Sequence, residues 1–313
     1  MFRSYSPPDA DPATVPAVSG LPGIFLDILG PVLVLVVIGA VAGRRLEIAP
    51  EPLARLAYWV IGPAFIFDSL ANAGLASDAL ARIAAASLVA FAVSALFALA
   101  LAARLPRDRR SMIVTTGAWG NAGNFGLAIV TFTFDDAAIP FAAVCLVVVN
   151  TAGLIIGVAT AHGGWSGVAR AFTRPMTLVV VPALLVNFGD VDVPKSIDRP
   201  IGLLAGAIIP LMLITLGIQL GQMGRPQLDL DVGRSLAAKL MVQPLVAMLT
   251  VRLFGLGDTA AGAVVLQAAM PAAVFTAVLA IEQRSRPDET ATIVMAGTLA
   301  SVITLPAFIL AVT

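Results

Sequence analysis

Histidine and cysteine are almost absent from this chain of 313 residues, which has one of each, His162 and Cys145. A single cysteine cannot form a disulfide within the chain, and isolated residues of these types do not make a zinc site. The sequence also has no H-E-x-x-H motif and no recognisable set of acid, base and nucleophile. We therefore expect no enzyme, no metal site and no cofactor.

Charged residues are scarce as well. They make up 12% of the chain and hydrophobic residues 59%, against about 25% and roughly 45–50% in an ordinary soluble domain. No nucleic-acid-binding motif accompanies the basic residues, so a nucleic-acid partner is not expected. The composition predicts an all-α integral protein of the lipid bilayer, in a plasma or inner membrane.

Apolar runs of about 20 residues predict membrane-spanning helices. Ten such runs are present, at 24–43, 54–72, 79–103, 111–134, 137–160, 176–189, 200–221, 233–254, 259–282 and 289–312. The preceding residues, 1–23, hold five prolines among small and polar residues. This composition predicts a disordered N-terminal tail.

Lysine and arginine concentrate in alternate loops, which predicts an orientation. If successive loops alternate between two sides, 14 of the 19 basic residues fall on one side. That side is cytoplasmic by the positive-inside rule, and both termini are then extracytoplasmic. Lys239 counts toward the cytoplasmic side, because it lies near that end of the eighth span and its long side chain can extend to the interface.

Helix-breaking residues recur at one offset along the chain. Pro63 and Pro210 are 147 residues apart, and so are Asn124 and Pro271. This spacing predicts two repeats of five helices, 24–160 and 161–313, in opposite membrane orientations, as in many secondary transporters. Coincidence is the alternative, since Pro and Gly are common in membrane helices.

The fourth span is interrupted by glycine and asparagine. From position 115 to 130 the chain reads TTGAWGNAGNFGLAIV, with Asn121, Gly123, Asn124 and Gly126 at its centre. Inside hydrocarbon, non-helical backbone is tolerated only against protein or a water-filled cavity. We expect one half of a polar binding site here. A nucleotide site is not expected, because no strand precedes the glycines.

Pro271 interrupts the ninth span. It has no N–H and its ring crowds the carbonyl of Gln267, so the helix must kink or open there. The Gln267 amide offers both donors and acceptors. We expect residues 272–274 to begin a second half-helix with free N–H groups and a positive dipole end. Such ends can hold an anion without a buried arginine, whereas a merely kinked helix is the alternative.

The sequence around the two interruptions resembles that of the auxin efflux carrier family. This family includes carriers of malonate and other organic acids and belongs with the bile acid/sodium symporters. The segment N-A-G-N-F-G-L at 121–127 is similar to the family's N-x-G-N-x-G-L-P, with Ala128 in place of the proline. The segment M-P-A-A-V-F at 270–275 is similar to M-P-x-A-V-N, with Phe275 in place of the asparagine.

This resemblance implies a scaffold of spans 1, 2, 6 and 7 and a transport domain of spans 3–5 and 8–10. It also implies that the discontinuous helices 4 and 9 cross, and that Asn121, Asn124 and Pro271 lie at the substrate. The function expected is a secondary carrier that moves a small organic anion by alternating access. A sodium-coupled symporter of the bile-acid type and a non-transporting membrane receptor are the alternatives, and the coupling ion, H⁺ or Na⁺, stays open.

Two carboxylates are candidates for coupling. Asp68 lies within the second span and Glu282 ends the ninth, and carboxylates inside membranes are candidates for function. Each can also be an ordinary interfacial charge.

Pairs of glycines four residues apart occur in three spans. They are Gly39/Gly43, Gly202/Gly206 and Gly217/Gly221. Small residues at this spacing allow helices to approach closely, and we expect packing within the chain, with a homodimer through the scaffold as the alternative.

Overall fold

The computed structural model describes residues 20–162, 166–189, 191–224 and 226–313. Within these residues the structure is helical, apart from loops and one isolated β-bridge. The helices in chain order are α1 Gly20–Arg45, α2 Pro50–Ala71, α3 Ser77–Leu101, α4 Arg107–Ala118, α5 Ala122–Phe134, α6 Ile139–His162, α7 Ser166–Phe172, α8 Pro175–Gly189, α9 Lys195–Gln222, α10 Leu230–Leu253, α11 Asp258–Ala269, α12 Phe275–Glu282 and α13 Pro287–Val312.

Seven of the described helices are long and apolar enough to cross a membrane, namely α1, α2, α3, α6, α9, α10 and α13. Each of the ten predicted runs coincides with one helix or with two helices separated by a short interruption. Large apolar side chains such as Leu203 and Ile303 are 80% exposed, which suits a surface that faces lipid. The prediction of an all-α membrane protein is confirmed.

The predicted disordered tail, 1–23, falls mostly outside the described residues. Gly20–Gly23 forms the first turn of α1, so the prediction was wrong for these four residues. Pro22 is compatible with this position, because the N–H groups of a first helical turn have no partner within the helix.

The helices pack in two sets. In one set α1 packs along α9, and α2 packs against α8 and α9. In the other set α3 packs against α4, α6 and α10, while α11 and α12 pack against α13. The two sets meet where α5 contacts α9 and where α2 contacts α6.

Glycines make the contact between α1 and α9 unusually close. A Cβ added at Gly39 would overlap the Ile214 carbonyl, and one added at Gly217 would overlap the Val36 carbonyl. The glycine pairs of these two helices therefore pack helices within the chain, as expected. The pair Gly202/Gly206 does not, since a Cβ at Gly206 would meet nothing within 4 Å.

Ion pairs join helix ends that the loop alternation assigns to one side. Arg286 pairs with Asp108, and Asp231 pairs with both Arg109 and Arg234, at N–O distances of 2.7–3.0 Å. These pairs connect the start of α4 with the starts of α10 and α13. The sequence places all three on the cytoplasmic side, and that orientation stays a prediction.

Candidate functional site

The first interruption lies between α4 and α5. Trp119 adopts an extended backbone after Ala118, and helical structure resumes at Ala122. Asn121 stabilises the new start, because its Oδ1 accepts a hydrogen bond of 3.3 Å from the N–H of Asn124. An asparagine in this position supplies one of the acceptors that a helix start needs. The interruption predicted within this span is therefore present.

The second interruption lies between α11 and α12. Met270 is extended, as is usual for the residue before a proline. Pro271 has no N–H to continue the helix, and α12 begins at Phe275.

The two interruptions lie side by side and are joined through their backbones. Gly120 and Ala272 form an antiparallel bridge. On either side of it the Asn121 N–H donates to the Pro271 carbonyl and the Ala273 N–H donates to the Trp119 carbonyl, each at 2.8 Å. Each broken helix thus satisfies backbone groups of the other, as irregular structure at membrane depth requires. We call residues 119–121 and 270–274 the junction.

The junction corrects one expectation about the second half-helix. Residues 272–274 were expected to begin that helix with free N–H groups. The helix begins at Phe275 instead, and the Ala273 N–H is already bonded to Trp119. The physical reason is the pairing of the two interruptions, which competes with helical geometry for these residues.

Buried amides without partners surround the junction. Gln267 is 2% exposed and Asn121 is 4% exposed. Both polar side-chain atoms of Gln267, and the Nδ2 of Asn121, have no hydrogen-bond partner among the described residues. Leaving a buried polar group unpaired costs about 1–3 kcal/mol, and such groups in a native structure call for an explanation. A bound polar molecule would supply the missing partners.

Gly126 brings the Gln267 amide against α5. A Cβ at Gly126 would overlap Gln267 Oε1 and would lie 3.0 Å from Met270 Cγ. Any residue larger than glycine would therefore displace the amide. The predicted residues Asn121, Gly126, Gln267 and Pro271 thus come together at the junction, although they are distant in sequence.

Gly123 and Asn124 lie between Asn121 and Gly126 at the start of α5. Both are half-buried and belong to a π-helical segment, Ala122–Gly126. A Cβ at Gly123 would lie 3.3 Å from Met212 Cε of α9 and 3.4 Å from Leu146 Cδ1 of α6. Single π-helical turns occur frequently at functional sites. This turn lies where the two packing sets meet.

The two candidate coupling carboxylates are not brought to the junction. Asp68 is half-buried near the end of α2, where the Asn72 side chain donates to its carbonyl and Gly202 of α9 faces its carboxylate. Glu282 is exposed at the end of α12. Among the described residues, no group of three or more His, Cys, Asp or Glu could hold a metal ion.

Lys239 lies close to the junction, which the sequence did not predict. We expected it to extend to the cytoplasmic interface, but it is 1% exposed and its Nζ donates a hydrogen bond of 2.7 Å to the Ala268 carbonyl at the end of α11. The expectation was wrong because the side chain turns toward the junction, where a carbonyl group accepts from it. In the sequence, its position within the run 233–254 is compatible with either direction of the side chain.

Phe275, which stands where the resembling family has asparagine, forms an aromatic stack. Its ring is stacked on Tyr58 of α2 at 5.9 Å between centroids, and lies 5.4 Å from the Trp119 ring. Trp119 Nε1 donates to Asn150 Oδ1 of α6 at 3.0 Å. These rings connect α2 of one packing set with the junction in the other.

The structure is that of a multi-pass helical membrane protein with two paired, interrupted helices. Residues 165–309 match the family described as "Membrane transport protein". A protein of Methanothermobacter thermautotrophicus named "Uncharacterized transporter" is 27% identical over an alignment of 287 residues that covers 88% of this chain and 94% of that protein. These matches confirm the resemblance to the auxin efflux carrier family and support a membrane transporter.

Proposed function

We propose that the protein is a secondary carrier that moves a small organic anion across the membrane by alternating access. The observation that carries this proposal is the junction, where two broken helices meet beside buried amides that lack partners. In secondary transporters, substrates bind near the midplane at discontinuous helices.

The proposed architecture has ten membrane crossings, in which α4 with α5 forms the fourth and α11 with α12 forms the ninth. The two halves are then inverted repeats whose broken helices cross at the junction. The packing sets support a scaffold of α1, α2, α8 and α9 and a transport domain of α3–α6 and α10–α13. In this proposal the protein lies in the inner membrane with both termini outside the cytoplasm.

In the proposed site, the substrate carboxylate lies at the starts of α5 and α12, where helix dipoles favour negative charge. The amides of Asn121, Asn124 and Gln267 orient it. Gly126 lets the Gln267 amide lie against α5, and Gly123 lets the same turn pack close to Met212 and Leu146. Asp68 and Glu282, which lie away from the junction, act at most through conformational coupling. A homodimer is not needed for this site, because one chain supplies every residue named.

Transport by variants tests the proposal. We expect Asn124→Leu and Gln267→Leu to insert and fold but to lose uptake of labelled small carboxylates into proteoliposomes, because each removes a polar group from the site. Gln227→Leu, at an exposed glutamine in the loop between α9 and α10, is the matched control and should keep wild-type uptake. Wild-type uptake by both site variants would contradict the site. Ligand binding without flux in the wild type would instead favour a receptor.

A further inference from the structure

Lys239 is a basic side chain buried in the middle of the protein. It is one of two lysines in the chain, is 1% exposed, and lies in the π-helical segment Ala237–Val242 of α10. A charged group in the membrane interior is costly unless its surroundings compensate for it.

The group that stabilises the Lys239 side chain is a backbone carbonyl rather than a carboxylate. Nζ donates to the carbonyl of Ala268 at 2.7 Å, in the last turn of α11, where carbonyls have no helical partner and carry partial negative charge. It also packs against Gly120, where an added Cβ would lie 3.0 Å from Nζ. Gly120 follows the end of α4, so the ammonium lies beside the C-terminal ends of both broken helices.

None of the described carboxylates forms an ion pair with Lys239. An ammonium has three N–H donors, and one of these is used by Ala268. Gln243, one turn further along α10, is buried, and its Oε1 has no hydrogen-bond partner within the part of the chain that the structure describes. Carbonyls at the ends of broken helices, together with amide oxygens, are the kind of ligand that coordinates Na⁺ in transporters.

The neighbouring packing holds this arrangement in place. Ser94 Oγ lies 2.7 Å from the Gly117 carbonyl and 2.8 Å from the Ala238 carbonyl. A Cβ at Gly117 would lie 3.1 Å from the Ala238 Cβ. The end of α4 is thus fixed directly against the residue that precedes Lys239, which directs the side chain toward the junction.

We propose that the Lys239 ammonium occupies a monovalent-cation site beside the junction, at the Ala268 carbonyl near the end of α11, so that the protein carries a fixed cation where a Na⁺ ion would otherwise bind. If the protein is the proposed carrier, transport needs no Na⁺ at this position, and this consequence rests on the proposed function. The proposal that Lys239 occupies the cation site does not depend on transport, and it can be tested without a substrate.

The test is the melting temperature of the purified full chain in choline chloride and in NaCl at equal ionic strength. We expect the wild type to melt at the same temperature in both salts. Lys239→Ala should melt at a lower temperature in choline and recover in a saturable way as Na⁺ is added, because a ligand of the native state raises apparent stability. Lys239→Met, which fills the space without charge, should be destabilised in both salts.

Lys195→Ala is the matched control, since Lys195 is the other lysine and is exposed at the start of α9. It should behave like the wild type. Stabilisation of the wild type by Na⁺, or a Lys239→Ala variant that does not respond to Na⁺, would overturn the proposal. If Lys239→Ala folds in neither salt, equilibrium binding of radioactive Na⁺ to the wild type decides: stoichiometric binding overturns the proposal and no binding supports it.

Uptake assays separate this proposal from the carrier function. Failure of every carboxylate to be transported would contradict the proposed function and leave the cation site unaffected. Uptake that requires Na⁺ in the wild type would contradict the proposed consequence of Lys239.

Discussion

At the scale of single residues, Gly126 decides whether the Gln267 amide can lie at the junction. Its backbone is in the ordinary helical region, so alanine would be tolerated there by conformation alone. The obstacle is steric, because an added Cβ would overlap Gln267 Oε1. The glycine is therefore required by the packing across the junction.

We expect Gly126→Ala to lose most carboxylate uptake and to lower the free energy of unfolding by about 1–3 kcal/mol, as is usual for overpacking a tight site. Uptake into proteoliposomes and the melting temperature measure the two effects. Gly206→Ala is the control, because a Cβ at Gly206 meets nothing within 4 Å. If Gly126→Ala and Gly206→Ala have the same uptake and melting temperature, the observed position of the Gln267 amide is not required for transport or stability.

The sequence predicts some site residues better than others, for physical reasons. Asn121, Gln267 and Pro271 stand out because polar groups and helix breakers conflict with a membrane helix. Lys239 does not, because a long cationic side chain can reach either an interface or the interior from the same position. Only the tertiary contact with Ala268 distinguishes the two.

At the scale of helices, Phe275 connects α12 with α2 and with the junction. Aromatic pairs contribute about 0.5–1.5 kcal/mol beyond the area they bury, and Phe275 makes two such contacts. The stack also joins the two packing sets. We infer that it opposes their relative movement.

We expect Phe275→Ala to lower the melting temperature and to increase amide hydrogen exchange at the start of α12, because both ring contacts are lost. Phe188→Ala is the control, since Phe188 is 52% exposed on α8. Unchanged exchange in α12 would show that the stack does not hold this helix.

The interruptions of two helices were predictable, whereas their pairing was not. Glycine and proline oppose helix formation locally, so the sequence predicts where the fourth and ninth spans open. The bridge between Gly120 and Ala272 joins residues from opposite halves of the chain. Such long-range hydrogen bonds leave no local pattern, which is why the expected start of the second half-helix was wrong.

At the scale of the whole molecule, the predicted runs agree closely with the helices because length and hydropathy determine membrane helices strongly. Orientation depends on loop charge alone and needs a direct test. Cys145 is buried, so a cysteine introduced at an exposed position is expected to react with a thiol reagent in preference to Cys145.

We expect a membrane-impermeant maleimide to label Ser196→Cys from outside intact cells and to label Gln227→Cys only after the membrane is opened. Both positions are exposed, Ser196 in the first turn of α9 and Gln227 after its end, and the positive-inside rule places the second in the cytoplasm. The unmodified chain is the control for labelling of Cys145. The reverse pattern would invert the predicted orientation.

The contact between α1 and α9 gives a prediction for overall stability. We expect Gly217→Leu to prevent the close approach to the Val36 carbonyl and to reduce the yield of monodisperse protein in detergent, with a lower melting temperature. Gly206→Leu places the same side chain on the same helix in open space. Similar losses in both variants would indicate that the α1–α9 contact is not the cause.

The same contact bears on how the protein is made. Arg44, at the end of α1, donates to the Gly221 carbonyl of α9, 177 residues later in the chain. At about 5–20 residues per second, α1 remains in the bilayer without this partner for roughly 10–35 s of synthesis. Its many lipid-facing valines and leucines make that delay tolerable, and assembly of the two halves becomes a late event that a truncated chain cannot complete.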